Sequence, residues 1–545
     1  MSRGLVAVAL LVAVAGCKRE ERGPAPAPLP VERSAAPAVD ETEPNNDSKS
    51  AQVLKGSAAV HASLADGEKP DEDWFKVELP DSQNLSIEAS SLTGAAMEVT
   101  VYDSERNKLL KAGSDAPIVP AVMCQKSCYI HVAAAKKGVT GDYTLLVKAA
   151  PPTPRNEREP NNRYVDAQEI SLGGAIDAFV FPADDQDWFK FVPTGLQPNQ
   201  VISVTLTPPA DVMAELVVAR LSDQATLATY KAADVGSDIK VRNLSAPAAP
   251  ETGYYFIVRS AWVAKGKRTA NAKAAYTLEV KAEEGSADLE TEPNNDVAHA
   301  TVIDLAQPKR TGFIAPRGDV DWFTFNAPQP SILRADVTGV DKVKLVLSVI
   351  DPAKKNEEKG NEIAKADQGD VKEPQALAGI AIPAGENFIR VEGAWKKVDD
   401  KWVRDYENAN ETYTLTLVVE PDDGSWEREP NDKPDKATTV EVGKDYKGYI
   451  QPAKDVDFYR LEVKEPLSVA ITVSAVAKLD LGLRVLDANS KDAKGEYALV
   501  GSIDKNKLEA DERLVVPFEP GSYFIEVKEK GRESNALKPY TLSLK

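Results

Sequence analysis

The chain of 545 residues is 42% hydrophobic and 28% charged, with a formal net charge of −19. This is the composition of soluble globular protein. Its acidity excludes nucleic acid as a partner, and it excludes anionic lipid headgroups gripped through global charge; it suits a surface protein or one that uses divalent cations.

The first 17 residues read as an export signal. Arg3 supplies a positive start, and Leu5–Val14 is an apolar run too short to span a bilayer as a helix. The run ends in Val14-Ala15-Gly16-Cys17, which resembles the lipobox of bacterial lipoproteins. That resemblance implies that Cys17 is acylated and becomes the mature N-terminus; the alternative is an ordinary secretory signal that happens to hold a Cys. Several acyl chains on one residue anchor a protein stably where a single chain is marginal. Lys18 stands where Asp retains such proteins in the inner membrane, so the expected place is the outer membrane or the cell surface. Residues 18–40 follow as a tether: Pro24, Pro26, Pro28, Pro30 and Pro37 are interleaved mostly with Ala, without apolar period. Such a segment is expected to stay disordered, extended by about 3.1 Å per residue, or roughly 70 Å in all.

From residue 41 one phrase recurs four times, Glu-x-Glu-Pro-Asn followed by Asn or Asp: Glu41–Asn46, Glu157–Asn162, Glu290–Asn295 and Glu427–Asp432. An Ala follows at a fixed distance (Ala51, Ala167, Ala300, Ala437). Next comes Asp-x-Asp with an aromatic pair: Asp71 to Phe75, Asp185 to Phe189, Asp319 to Phe323 and Asp455 to Tyr459. Self-similarity at so long a period marks a tandem array of domain-sized units. Within each copy, runs such as Leu85-Ser86-Ile87-Glu88-Ala89 and Val469-Ala470-Ile471-Thr472-Val473 alternate with the period of half-buried strands. Each copy closes on a Tyr-Thr-Leu run that starts at Tyr143, Tyr276, Tyr413 or Tyr540. No long stretch has helical periodicity. The expected fold is all-β, with β-sandwich units at 41–150, 157–282, 288–420 and 425–545. Linkers this short lead neighbouring units to pack rather than swing. Setting Cys17 aside leaves Cys124 and Cys128, an even pair around a hairpin turn, read as a local disulfide in preference to a metal half-site.

The Glu-Pro-Asn-Asn phrase, the Asp-x-Asp-aromatic step, the Gly-led strand (Gly521–Val527) and the closing Tyr-x-Leu together resemble the bacterial pre-peptidase C-terminal domain. That family includes the collagen-binding domains of secreted collagenases. The resemblance implies four tandem jelly-roll-like β-sandwich domains. Copy two departs from it with Arg163 after its Asn pair; copy four has Lys433 there, and Phe458 replaces the Trp.

Chemically, the phrase is a set of hard oxygen ligands: two Glu two residues apart point the same way on an extended segment that Pro maintains. In the collagenase members, residues at matching positions bind calcium, a cation that takes six to eight oxygens. Carried over, copy one offers Glu41, Glu43, Asn45, Asn46, Asp71 and Asp73. Copy two offers Glu157, Glu159, Asn161, Asn162, Asp185 and Asp187. Copy three offers Glu290, Glu292, Asn294, Asn295, Asp319 and Asp321. Copy four offers Glu427, Glu429, Asn431, Asp432, Asp455 and Asp457. Arg163 and Lys433 are expected to compete with a cation in copies two and four. The alternative is a turn staple, in which the Asn side chains bond to backbone N–H groups.

Catalysis is not expected. His61, His131 and His299 are the only histidines and none has company, and the usual nucleophile, zinc and phosphate-loop motifs are missing. The aromatic pair after Asp-x-Asp is expected in the core. A loop near the end of the middle copies carries Trp262 with Lys265, Lys267, Arg268 and Lys273, and then Trp395, Lys396, Lys397, Lys401 and Trp402. Such a loop can grip a polysaccharide or acidic polymer by stacking and charge, or it can be a solvated hairpin with its Trp packed at the base. The expected function is a non-catalytic, lipid-anchored envelope protein that binds an envelope or extracellular polysaccharide or protein. A structural scaffold is the alternative, and an accessory module of a secreted hydrolase a more remote one.

Overall fold

The computed structural model describes residues 36–545, apart from 66–70, 93–94, 115–116, 198, 246–252, 264–265, 358, 399, 492–494 and 505–507. The export signal, Cys17, most of the tether and Lys265 lie outside the described residues. The chain is all-β; the helical elements among the described residues are three short 3-10 turns. No described helix is long and apolar enough to cross a membrane.

The strands form four successive pairs of sheets, called repeats 1 to 4 below. In repeat 1 one sheet runs in the spatial order Ala38–Asp40, Ala58–Leu64, Gly141–Ala150, Gln83–Ala89, Ile118–Cys124. The other runs Gln52–Lys55, Glu72–Glu78, Ser127–Ala134, Met97–Tyr102, Lys108–Ser114. The later repeats reuse this order with a four-stranded first sheet. The tether is shorter than expected: Ala38–Asp40 pairs in parallel with Ala59, Val60 and His61 at the sheet edge, where Val39 packs on the core.

Strict alternation explains why the sheets face each other. Glu72–Glu78 buries Asp73, Phe75 and Val77 and turns Trp74 and Lys76 outward. Each pair of sheets encloses its own apolar cluster, from Leu54 to Val147, Ile170 to Val280, Ile303 to Leu417 and Val440 to Leu544. Cys124 and Cys128 are joined in a disulfide across the turn at Lys126, which has a positive φ of 65°.

The aromatic pair after Asp-x-Asp splits between two environments. Phe75, Phe189, Phe323 and Tyr459 fill the cores, as expected. The preceding Trp74, Trp188, Trp322 and Phe458 instead lie on the outer face of the second sheet, because neighbours on a strand point opposite ways. There Ala167, Ala300 and Ala437 pack against these rings, which accounts for the recurring Ala.

Successive repeats are joined by backbone. The acidic phrases of repeats 2 to 4 each lie along the edge strand of the preceding repeat, where that strand carries a bulge. Met123 N donates to Glu159 O at 2.8 Å, Ser245 N to Glu292 O at 2.7 Å, and Glu429 N to Gly379 O at 3.3 Å. Gly379, with φ of 72°, admits no side chain, since a Cβ there would run into Glu427 and Glu429. In repeat 4 the matching strands, Leu467–Val473 and Glu512–Phe518, pair in unbroken register without a bulge. The joint between repeats 3 and 4 adds an apolar cluster of Ile332, Ala378, Trp426, Tyr449 and Ala536, in which Trp426 stacks on Tyr449 at 5.8 Å. Trp426→Ala should weaken this joint by about 3 kcal/mol. Limited proteolysis should then cut faster between residues 421 and 425, while the near-ultraviolet signal of the repeat 4 core stays intact.

Candidate metal centre

The turn at the start of each repeat folds the two Glu of the acidic phrase against the second Asp of the Asp-x-Asp step. Glu41, Glu43 and Asp73 form one such triad; Glu157, Glu159 and Asp187 the next; then Glu290, Glu292 and Asp321; and Glu427, Glu429 and Asp457. In each, one oxygen from every carboxylate lies within 4.8 Å of the others. Three hydrogen bonds build this geometry identically each time. The first Glu accepts the backbone N–H of Ser63, Phe179, Phe313 or Tyr449, at 2.9, 3.1, 2.7 and 2.5 Å. The second Glu accepts the N–H of the first Asn, Asn45, Asn161, Asn294 or Asn431. The closing Tyr, Tyr143, Tyr276, Tyr413 or Tyr540, donates to Oδ2 of the second Asp at 2.6 Å in all four repeats.

The first Glu takes a further donor in three repeats, from the Asn45 amide to Glu41, from Asn294 and Tyr413 to Glu290, and from Tyr459 to Glu427, yet other oxygens of the cluster have none. Oδ1 of Asp73, Asp187, Asp321 and Asp457 is buried and unpartnered, as is Oδ1 of Asn45, Asn161, Asn294 and Asn431, and Oε1 of Glu159, Glu292 and Glu429. Buried acceptors are almost always satisfied, so a convergent set of orphan oxygens in every repeat marks a site that could hold a metal ion. The donors are all hard oxygens, which fits an ion of the calcium or magnesium kind better than zinc or copper. Gly312 and Gly448, facing Tyr413 and Tyr540 across the sheet, keep the space free: a Cβ at either would overlap the first Glu and the Tyr.

The other expected ligands sit at the margin. Asp71, Asp185, Asp319 and Asp455 accept backbone N–H groups of the loop before them, from Ala65, Phe181, Ala315 and Gln451. Asn46, Asn162, Asn295 and Asp432 are exposed. Asn162 and Asn295 accept the N–H of Gln186 and Val320, so the second Asn is the turn staple and the first belongs to the cluster. The exposed Arg163 pairs its guanidinium with Asp166 at 2.7 Å. Lys433 is exposed, at the cap of a 3-10 turn. What separates the repeats is cover. In repeats 2 to 4 the preceding repeat closes over the phrase, and Asn243 of repeat 2 donates to Glu290 O at 3.1 Å. In repeat 1 Glu43 is exposed and the cluster opens into a cavity of about 570 Å³.

Burial dominates the electrostatics. It pushes Asp73 up to about 8, against the pull of the Tyr143 hydroxyl, and Glu159 and Glu429 up to about 7. Burial and then the charge of Asp319 push Glu290 up to about 8. Burial and the neighbouring carboxylates also hold Glu157, Glu292 and Glu427 well above the ordinary range.

The hairpins of the middle repeats are present as Trp262–Val263 with Lys267–Arg268 and as Lys396–Val398 with Lys401–Val403. Their Trp side chains are not packed at the base: Trp262 is 57% exposed, Trp395 54% and Trp402 65%. Arg268 lies over Trp262 at 4.8 Å and Arg404 over Trp395 at 4.9 Å, which holds those rings upright. His131 stacks on Trp74 at 4.6 Å and pairs with Glu72, while His299 pairs with Asp296 in a 3-10 turn.

No known family description matches this chain, and no curated protein matches it. Among solved structures it is similar to the pre-peptidase C-terminal domain of a collagenase from Bacillus anthracis, at 19% identity, covering 21% of this chain and 100% of that one with a TM-score of 0.17. It is also similar to a fucolectin from the serum of Morone saxatilis, the striped bass, at 10% identity, covering 46% of this chain and 86% of that one with a TM-score of 0.14.

The raised carboxyls make a signed prediction for the cation-free chain. Folded, they hold protons up to about pH 7 to 8; unfolded, they release them near pH 4, so the unfolded state binds fewer protons between those values. Stability therefore falls as pH rises across that window. In chelator the melting temperature should be lower at pH 8 than at pH 5, and added calcium should remove the difference.

Proposed function

We propose that this is a non-catalytic, lipid-anchored protein of the bacterial cell envelope, made of four calcium-clamped, jelly-roll-like β-sandwich domains at 41–150, 157–282, 288–420 and 425–545. It binds an envelope or extracellular polysaccharide or protein through the hairpins of its middle domains. The domain class rests on the fourfold motif likeness to pre-peptidase C-terminal domains. The calcium reading rests on the orphan oxygens around each triad. Glu41, Glu43, Asn45 and Asp73 and their counterparts would hold the ion, which supplies positive charge that lets buried carboxylates stay ionised. The anchor rests on the sequence around Cys17, and outward placement on Lys18.

One observation carries the binding role: three Trp side chains stand in solvent on hairpins that, among the described residues, only repeats 2 and 3 possess, where they contribute no core. Exposed, upright indoles stack on sugar rings and on apolar protein surface. Trp262→Ala, Trp395→Ala and Trp402→Ala combined should reduce binding to envelope polysaccharide at least tenfold with an unchanged melting temperature. Equal binding by the triple variant would retire the hairpins. The anchor is tested separately: Cys17→Ala should move the protein from the membrane fraction to the soluble fraction.

The joints favour a second reading, a spacer or scaffold for envelope machinery, since every repeat is bonded to the next by backbone. Protease digestion of intact cells separates the two: cleavage favours adhesion at the surface, and protection until the outer membrane is broken favours the scaffold.

A further inference from the structure

Repeat 1 differs from the others at the one place where its partner would sit. The register position that carries Phe179, Phe313 and Tyr449 in repeats 2 to 4 carries Ser63 in repeat 1, bonded to its Glu in the same way. Tyr449 packs against Ile332 and Ala378 of the preceding repeat; Ser63 is exposed. Among the described residues no neighbouring repeat covers this face. The cavity of about 570 Å³ there reaches the triad and is lined further by Asp40, His61, Ser90, Asp142 and Thr144. Beside Glu41 the fully buried Asn45 amide donates to Glu41 Oε1 and leaves its own Oδ1 without a donor.

Resting on the calcium reading above, we propose that the repeat 1 ion is a ligand-binding ion. Its outward coordination positions take the vicinal hydroxyls of a neutral glycan, whereas the three enclosed ions are structural. Calcium takes six to eight oxygens; Glu41, Glu43, Asp73 and Asn45 fill one side and leave roughly two or more positions facing the cavity. The cavity wall selects the ligand. Among the described residues it holds carboxylates, hydroxyls and His61 and no Lys or Arg, so acceptors outnumber donors. One divalent cation does not neutralise Asp40, Glu41, Glu43, Asp73 and Asp142 together, so an acidic polymer is repelled. A diol binds the ion through its oxygens while donating its hydroxyl protons to Asp40 and Asp142. The volume is that of an ordinary small-ligand site.

The full mature chain is loaded with terbium in place of calcium, and its luminescence decay is compared in water and in heavy water. Tyr143, 2.6 Å from Asp73, serves as antenna. A water-bearing component should appear that is lost in Asp73→Asn and in Glu43→Gln and kept in Asp187→Asn. In calcium the chain should be retained on at least one of immobilised mannan, galactan and dextran and released by chelator. Retention should fall at least tenfold in Glu43→Gln, a change at an exposed side chain that spares the fold. Terbium that raises the melting temperature yet shows no water-bearing component overturns the inference and leaves the calcium reading intact. Failure of terbium to bind at all removes the calcium reading itself. Retention on none of the glycans, retention unaffected by Glu43→Gln, or retention on polylysine instead also overturns it.

Discussion

Three carboxylates converge at the mouth of every repeat, and most of the fold's particular features exist to hold them there. Like charges within a few ångströms in a desolvated pocket are strongly unfavourable unless protons or a cation balance them. Among the described residues no Lys or Arg relieves the strain; a Tyr hydroxyl and backbone N–H groups surround each cluster, joined in repeats 1 and 3 by the Asn amide. These orient the carboxylates without neutralising them. The entry strand, the Asp-x-Asp strand and the closing strand all meet at this point, so the ends of each repeat are tied together through its acids.

The joints depend on the same cluster. The phrase that supplies two of the three carboxylates also supplies the backbone that pairs with the previous repeat. Charge balance inside one repeat is therefore mechanically linked to the position of its neighbour. In repeat 1 no such neighbour closes over the site among the described residues, and Glu43 faces solvent while Asn45 and Asp73 stay buried. One motif thus yields two environments, and the difference comes from position in the array and not from the phrase itself.

Much of this was legible in the sequence. The long period located the repeats, and the two-residue alternation located the strands. The acids at Glu41, Glu43 and Asp73 and their counterparts were recognisable as an oxygen-ligand set. The Tyr143–Asp73 bond was not, because nothing local says that a strand seventy residues on lies over that Asp; only the fourfold recurrence of the Tyr hinted at a common task. The outward Trp74 and inward Phe75 were both expected inside, although adjacent strand residues cannot share a face. The pairing of Arg163 with Asp166 was not legible either, since nearness along the chain says little about where a long side chain points. That Ser63 stands where Phe179, Phe313 and Tyr449 stand emerges only from the fold, which shows the face that meets the preceding repeat.

The unbroken register between Leu467–Val473 and Glu512–Phe518 sets the fourth repeat's edge apart from those of the first three. A bulge is the socket that receives an acidic phrase, and this edge has none; Pro517 and the exposed Arg513 instead guard it against pairing with a strand of another molecule. The same edge position thus serves as a joint in three repeats and as a guard against aggregation in the fourth.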